Sequence, residues 1–273
     1  MVGQNNVVNC RELSRSSSRT DIRYRDVDAS AKRNRGTSAR GGERTDYNRP
    51  MALMNLDAGE HADEPEELWA MFDVLNIACG GHAGDDASME RVVRWCVASR
   101  CAIGAHPSYP DRPGFGRKTI ALEPAALAAT VAAQCTALAD IAHRHGRAVA
   151  YVKPHGALYH DASADPVLAR ELVGAMTAAL GNAVVVIGPP AGALCDAASA
   201  RGIHYASEGF ADRRMRDDGS LVPRSQPGAL LTDPTEAAAQ ARALAIHVDT
   251  ICVHADTPGA LAIAAAVHRA LHG

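Results

Sequence analysis

The chain has 273 residues, a net charge of −3, 47% hydrophobic residues and only 4% aromatic ones. Length and composition exclude a small stapled fold and suit one large core, such as a barrel of about 250 residues. No uninterrupted apolar run approaches the roughly 20 residues that span a bilayer, so a soluble protein without a membrane partner is expected.

Charge is uneven. Residues before Met51 hold ten Arg and one Lys against six acidic residues, leaving an excess of about −8 on the remainder. This leader has no helical or strand period and too few apolar residues to bury itself. Residues 1–50 are therefore read as a disordered extension or a mis-assigned start, and 51–273 as the folded domain. The leader's acidic residues and its lack of an amphipathic stripe argue against a nucleic-acid tail or a transit peptide. Seven scattered cysteines without a CxxC pair fit reduced thiols in a cytoplasmic enzyme.

From Met51 short apolar runs alternate with longer helical stretches, the pattern of an α/β chain with a mainly parallel sheet. Seven strands are predicted near Leu53–Leu56, Val74–Ala78, Cys101–Gly104, Ala148–Lys153, Ala183–Gly188, Ile203–Ser207 and Thr250–His254. Asp85 and Asp86 can cap a helix whose apolar positions Met89, Val92, Val93, Cys96 and Val97 share one face. Further helices are predicted over Pro124–His145, Pro166–Leu180, Pro234–Ile246 and Pro258–Leu271, each with proline near its start. The repeated order favours a closed (β/α) barrel of about seven strands over an open sheet.

In such a layout the loops at the strands' C-terminal ends converge on one face. Polar motifs follow the apolar runs here: NLDAGE with Asp57 and Glu60, NIACGGHAGD with His82, GAHPSYPDRPGFGR with His106, VKPHGALY with Lys153 and His155, and CVHAD with His254 and Asp256. Each histidine alone is compatible with an ordinary hydrogen-bonded loop residue; several at equivalent places point to a site. Asp57 and Glu60 suit a general base, a metal ligand or a helix cap. Lys153 and His155 alternate at a strand end, where a lysine can hold an anionic oxygen and a histidine can transfer protons. Asp212, Arg213, Asp218 and Arg224 form a mixed-charge loop that reads equally as a surface salt-bridge loop. GxxxxGK[ST], GxGxxG after a strand and GxSxG are absent.

Together with EGFADR (Glu208–Arg213) and DGSLVPRS (Asp218–Ser225), these motifs resemble the LamB/YcsF family across Met51 to Gly273. The resemblance implies an irregular (β/α) barrel of the glycoside hydrolase/deacetylase kind. It also implies the role of the A component in ATP-dependent opening of 5-oxo-L-proline to L-glutamate by a 5-oxoprolinase, with subunits B and C as partners. Three positions depart from the family pattern: Leu53 replaces the leading Asp of DLNAD, Met215 a Tyr, and Ala255 a Gly.

On this basis Asp57, Lys153 and His155 are the expected catalytic groups, with Lys153 and His155 stabilising an oxyanion and shuttling protons. Glu60, Asp212, Arg213, Arg224, His254 and Asp256 are expected to bind substrate, Arg213 or Arg224 taking its carboxylate. Asp57, His82 and His106 are the expected ligands of a divalent metal. A metal-dependent deacetylase and a non-catalytic partner of the other two components remain alternatives.

Overall fold

The computed structural model describes residues 52–216 and 220–273. The expectations for residues 1–50 and for Asp218 lie outside the described residues. Seven strands form a closed, wholly parallel barrel in sequence order: β1 (Leu53–Ala58), β2 (Val74–Ala78), β3 (Ala102–His106), β4 (Tyr151–Val152), β5 (Val185–Gly188), β6 (Tyr205–Phe210) and β7 (Thr250–His254). β7 pairs with β1, Leu53 opposite Thr250 and Asp57 opposite His254, which closes the ring.

The helices are α1 (Glu66–Trp69), α2 (Asp86–Ser99), α3 (Pro124–Arg144), α4 (Ala157–Ala164), α5 (Pro166–Leu180), α6 (Ala193–Ala200), α7 (Pro234–Ala245) and α8 (Ala260–His272). Asp85 caps α2 through a reciprocal capping box with Ser88, as the sequence implied. Asp165 and Asp233 cap α5 and α7 one residue before their prolines. The last helix begins two residues later than expected, because Gly259 takes a left-handed φ of 80°. The short helices α1, α4 and α6 carry too few turns for a periodic signal in the sequence.

Alternation along the strands separates two interiors. Outward residues such as Met54, Leu56, Leu75, Ile77, Ile103, Ala105, Val152, Ile251 and Val253 join the helices in one buried core. α3 is long and apolar enough, by length and composition, to cross a membrane, a feature not found by seeking uninterrupted apolar runs. Its stripe Leu127, Val131, Cys135, Leu138 and Ile141 is instead buried in this core, and its main helical neighbour is α5.

Inward residues change character along the barrel axis. Near the strands' N-terminal ends Val74, Tyr151 and Ile187 form a small apolar plug, joined by Leu53, Ala102 and Val185. Leu53 therefore sits at the end of β1 opposite the rim, and an apolar residue suits it there. Above the plug the interior is polar.

Candidate active site at the barrel mouth

The polar floor is a buried network with Lys153 at its centre. Lys153 Nζ lies 2.9 Å from Asp57 Oδ1, 2.9 Å from Glu208 Oε1, 3.2 Å from Cys252 Sγ and 3.3 Å from Asn55 Oδ1. An ammonium has three hydrogens, so these partners engage it fully. Asn55 donates to Glu208 and Thr250 at 3.0 and 2.9 Å, and Asn76 donates to Asn55 at 2.8 Å and to Asp57 at 3.2 Å. Gly104 faces this layer, where a Cβ would collide with the Asn76 side chain. Burial alone would lower the Lys153 pKa, but its neighbours Asp57, Cys252 and Glu208 raise it well above the ordinary lysine value. Burial likewise pushes the Asp57 carboxyl up, and the opposing pull of His106 and Lys153 brings it well below the usual carboxylate range.

On one side of the mouth the loops after β1, β2, β3 and β4 bring Glu60, His82, His106 and His155 together. Glu60 Oε1 is 2.9 Å from His82 Nε2, 3.2 Å from His155 Nδ1 and 3.8 Å from His106 Nε2. His155 Nδ1 is 2.9 Å from His106 Nε2, and the His82 and His155 rings stack in parallel with centroids 3.6 Å apart. Burial pushes the His82 pKa down to about 3 despite its hydrogen bond to Glu60, and it lowers His155 as well. Both rings are therefore neutral near pH 7.

Two further residues hold this cluster in place. The Glu64 carboxylate accepts from the backbone N–H groups of Gly59, Glu60 and His61 at 2.8 to 3.0 Å and from the Trp69 indole at 3.1 Å, fixing the loop after β1. Gln134 of α3 exchanges two hydrogen bonds with the Ser108 backbone, at 3.0 and 2.8 Å, fixing the loop after β3. The long segment that follows His106 folds over the cluster as a strap. Phe115 adopts a left-handed φ of 55°, uncommon outside glycine, which aims its carbonyl at His155 Nε2, 3.0 Å away. Its ring meets His82 and His155 edge-on at 5.2 and 5.4 Å.

Across the mouth, the ends of β6 and β7 build a second group. His254 Nδ1 lies 2.9 Å from Asp212 Oδ1, and Thr257 donates to Asp212 Oδ2 at 2.5 Å. Burial raises the Asp212 carboxyl, but the His254 and Thr257 contacts bring it below its ordinary value. Donor atoms of Asp57, Cys252 and His254 lie within 4.8 Å of one another, so His254 borders the polar floor. Arg224 grips Asp256 with two bonds of 2.5 and 2.8 Å, and Arg117 of the strap reaches the same carboxylate at 2.6 Å. Arg213 donates to the Val222 carbonyl at 2.9 Å, yet its buried Nε has no partner among the described residues.

All the expected site residues with described positions therefore border one mouth, divided into two groups over a shared floor. Asp57 belongs to the floor with Lys153 and also reaches His106 Nε2 at 3.3 Å, joining the floor to the histidines. Glu60 and His155, expected to bind substrate and to catalyse, adjoin His82 and His106. Asp212 pairs with His254, and Asp256 ties two arginines to the strap. Sequence reasoning missed Glu208, Asn55, Thr250 and Cys252 as interior groups. Alternation would have found three of them: Asn55 stands two residues before Asp57, and Thr250 and Cys252 step back from His254 in twos.

The LamB/YcsF family matches residues 54–273. A protein of Methylococcus capsulatus described as the A subunit of 5-oxoprolinase is 41% identical over 230 residues, covering 77% of this chain and 88% of that protein. One of Chloroflexus aggregans with the same description is 41% identical over 237 residues, covering 80% of this chain and 94% of that protein. The crystal structure of a lactam utilization protein from Thermus thermophilus superimposes with a TM-score of 0.74 at 33% identity, covering 81% of this chain and 95% of that one. By the span of the match and the closeness of these relatives, the chain belongs to the LamB/YcsF family.

Proposed function

We propose that this chain is the A component of a 5-oxoprolinase, which opens the lactam of 5-oxo-L-proline to L-glutamate at the barrel mouth. ATP is hydrolysed by the assembled enzyme, with subunits B and C as partners. The observation that carries the proposal is the pairing of an oriented base, Asp212–His254, with a buried Arg213 whose Nε has no partner among the described residues, in a chain whose close relatives are described as the A subunit of 5-oxoprolinase.

The chemistry follows from the reaction. A lactam is an unreactive amide, and phosphorylating its oxygen at the expense of ATP would make the carbonyl carbon a better electrophile. Asp212 accepts from His254 Nδ1–H, leaving Nε2 as the basic nitrogen that takes a proton from the attacking water. Buried Asp212 stabilises the imidazolium that results. The water oxygen bonds to the carbonyl carbon, the ring C–N bond breaks as the proton on His254 passes to the leaving nitrogen, and a second water cleaves the resulting acyl phosphate to glutamate and inorganic phosphate. Arg213 holds the substrate carboxylate. Lys153 acts through its charge, keeping Asp57 ionised beneath the reacting centre.

The test is reconstitution. Purified chain, subunits B and C, ATP and 5-oxo-L-proline should together form glutamate and ADP, and omission of the chain should abolish both products. Undiminished glutamate formation without it contradicts the assignment.

A further inference from the structure

We infer that Glu60, His82, His106 and His155 form a site for one divalent transition-metal ion of the zinc class, which fastens four loop ends of the barrel together. The inference goes beyond the proposed reaction, since none of its steps passes through the ion.

Hydrogen bonding at the far side of two rings supports it. His106 Nδ1 is 2.7 Å from the Lys153 carbonyl oxygen, and a carbonyl only accepts, so the hydrogen of a neutral His106 sits on Nδ1. His155 Nε2 is in turn 3.0 Å from the Phe115 carbonyl oxygen, so its hydrogen sits on Nε2. Both rings then present lone pairs toward each other across 2.9 Å, with a Glu60 carboxylate oxygen 3.2 Å from His155 Nδ1. Lone pairs so placed repel unless a cation lies among them. Protonating His155 would relieve one contact but place an imidazolium face to face with His82, with interplanar angle 1° and centroids 3.6 Å apart. A proton on His106 Nε2 would sit between His155 Nδ1 and Asp57 Oδ2, 3.3 Å away, but leave the Glu60 oxygen facing the His155 lone pair at 3.2 Å. A metal ion satisfies all four donors at once.

The donor set and its size agree with this choice. Backbone carbonyls like those that fix the tautomers of His106 and His155 are the usual outer support of metal-binding histidines. Three imidazoles with one carboxylate suit zinc or a neighbouring first-row ion better than calcium or magnesium. Four donors at ~2.1 Å from a tetrahedral ion stand roughly 3.4 Å apart. The closest pairs here lie at 2.9, 2.9, 3.2 and 3.8 Å, and all four donor atoms fall within 4.8 Å of one another. Since the chain supplies all four, a tetrahedral ion keeps no position for water, and its role is to lock the loops.

The experiment uses the full chain, stripped with a chelator and titrated with Zn²⁺ against a chromophoric competitor, with Co²⁺ as a spectroscopic probe. One equivalent should bind, Co²⁺ should give the intense visible bands of a four-coordinate site, and Zn²⁺ should raise the melting temperature. His82→Ala, His155→Ala and the near-isosteric Glu60→Gln should weaken binding by about 100-fold or more, beyond the usual outer-support effect. His204→Ala, at an exposed position, should leave it unchanged. Circular dichroism establishes that each variant is folded, and Glu60→Gln decides the matter if the alanine variants are not. Absence of stoichiometric uptake overturns the site, as does uptake undiminished in the folded variants. Nitrogen NMR showing a doubly protonated His155 in the Zn²⁺-saturated chain at pH 7.5 does so too. Metal binding without oxoproline turnover would refute the proposed reaction and leave this site standing; turnover without metal binding would do the reverse.

Discussion

Lys153 and Asp57 lie 96 residues apart in the chain, yet the barrel holds Nζ and Oδ1 2.9 Å from each other, both side chains almost wholly buried. Glu208 shares the same ammonium from β6, so one buried cation is held between two acidic side chains. Removing it leaves both uncompensated. Lys153→Met should cost about 3–5 kcal/mol of stability, the usual loss on breaking a buried pair. At roughly 2–4 °C per kcal/mol for a domain of this size, the melting temperature should fall by about 10 °C. Adding Glu208→Gln should recover part of that loss. A shift under about 2 °C in a thermal melt would show that Lys153 does not support the floor.

Acid should destabilise the chain through the same mouth. The His82 ring has a folded pKa of about 3 against an ordinary value of 6.5, so below pH 6.5 the unfolded chain takes up a proton that the folded one refuses. The neutral ring's contribution is lost progressively as pH falls from 6.5 toward 3, by up to about 1.4 kcal/mol per pH unit. His155 is lowered in the same sense. Asp57 and Glu60, lowered below the carboxylate range, add stability above about pH 4 that disappears under it. Urea midpoints taken in a chelating buffer should drop steadily from pH 7 to 5, and less steeply in His82→Gln. Equal slopes in the two proteins would place the acid sensitivity elsewhere.

The substrate carboxylate offers a separate handle. Arg213 is buried, and its Nε has no partner among the described residues, whereas Arg224 already holds Asp256 with two bonds. A hydrogen bond to a charged group is worth about 1.5–3 kcal/mol, so Arg213→Met should raise the KM for 5-oxo-L-proline by about 10 to 100-fold with kcat little changed. Initial rates of the reconstituted enzyme would show it, and an unchanged KM would assign the carboxylate to another group.

The barrel was legible from the alternation of apolar runs and helices: two of the seven expected strands, Val74–Ala78 and Thr250–His254, coincide with the observed ones, and the other five differ in their ends. β4 illustrates why: Ala148 to Lys153 reads as one strand, but only Tyr151 and Val152 are in it, the chain turning away at Pro154. That the motif residues share one mouth also followed from strand ends. Their arrangement did not, because Asp57 and Glu60 are three residues apart yet Asp57 bridges Lys153 and His106, at 2.9 and 3.3 Å, while the turn at Gly59 with φ 71° carries Glu60 to His82. Glu64 and Gln134 position the site from outside any motif, and only the folded backbone shows which amides they meet.

The most direct measurement is the turnover of the reconstituted enzyme carrying His254→Ala, beside a thermal melt of the same variant. His254 is paired with buried Asp212 at 2.9 Å and is itself partly exposed at the mouth, so its loss should leave the fold standing. As the general base it should lower kcat by about 10² to 10⁴-fold. A folded variant that forms glutamate at the normal rate would contradict the placement of lactam opening in this barrel.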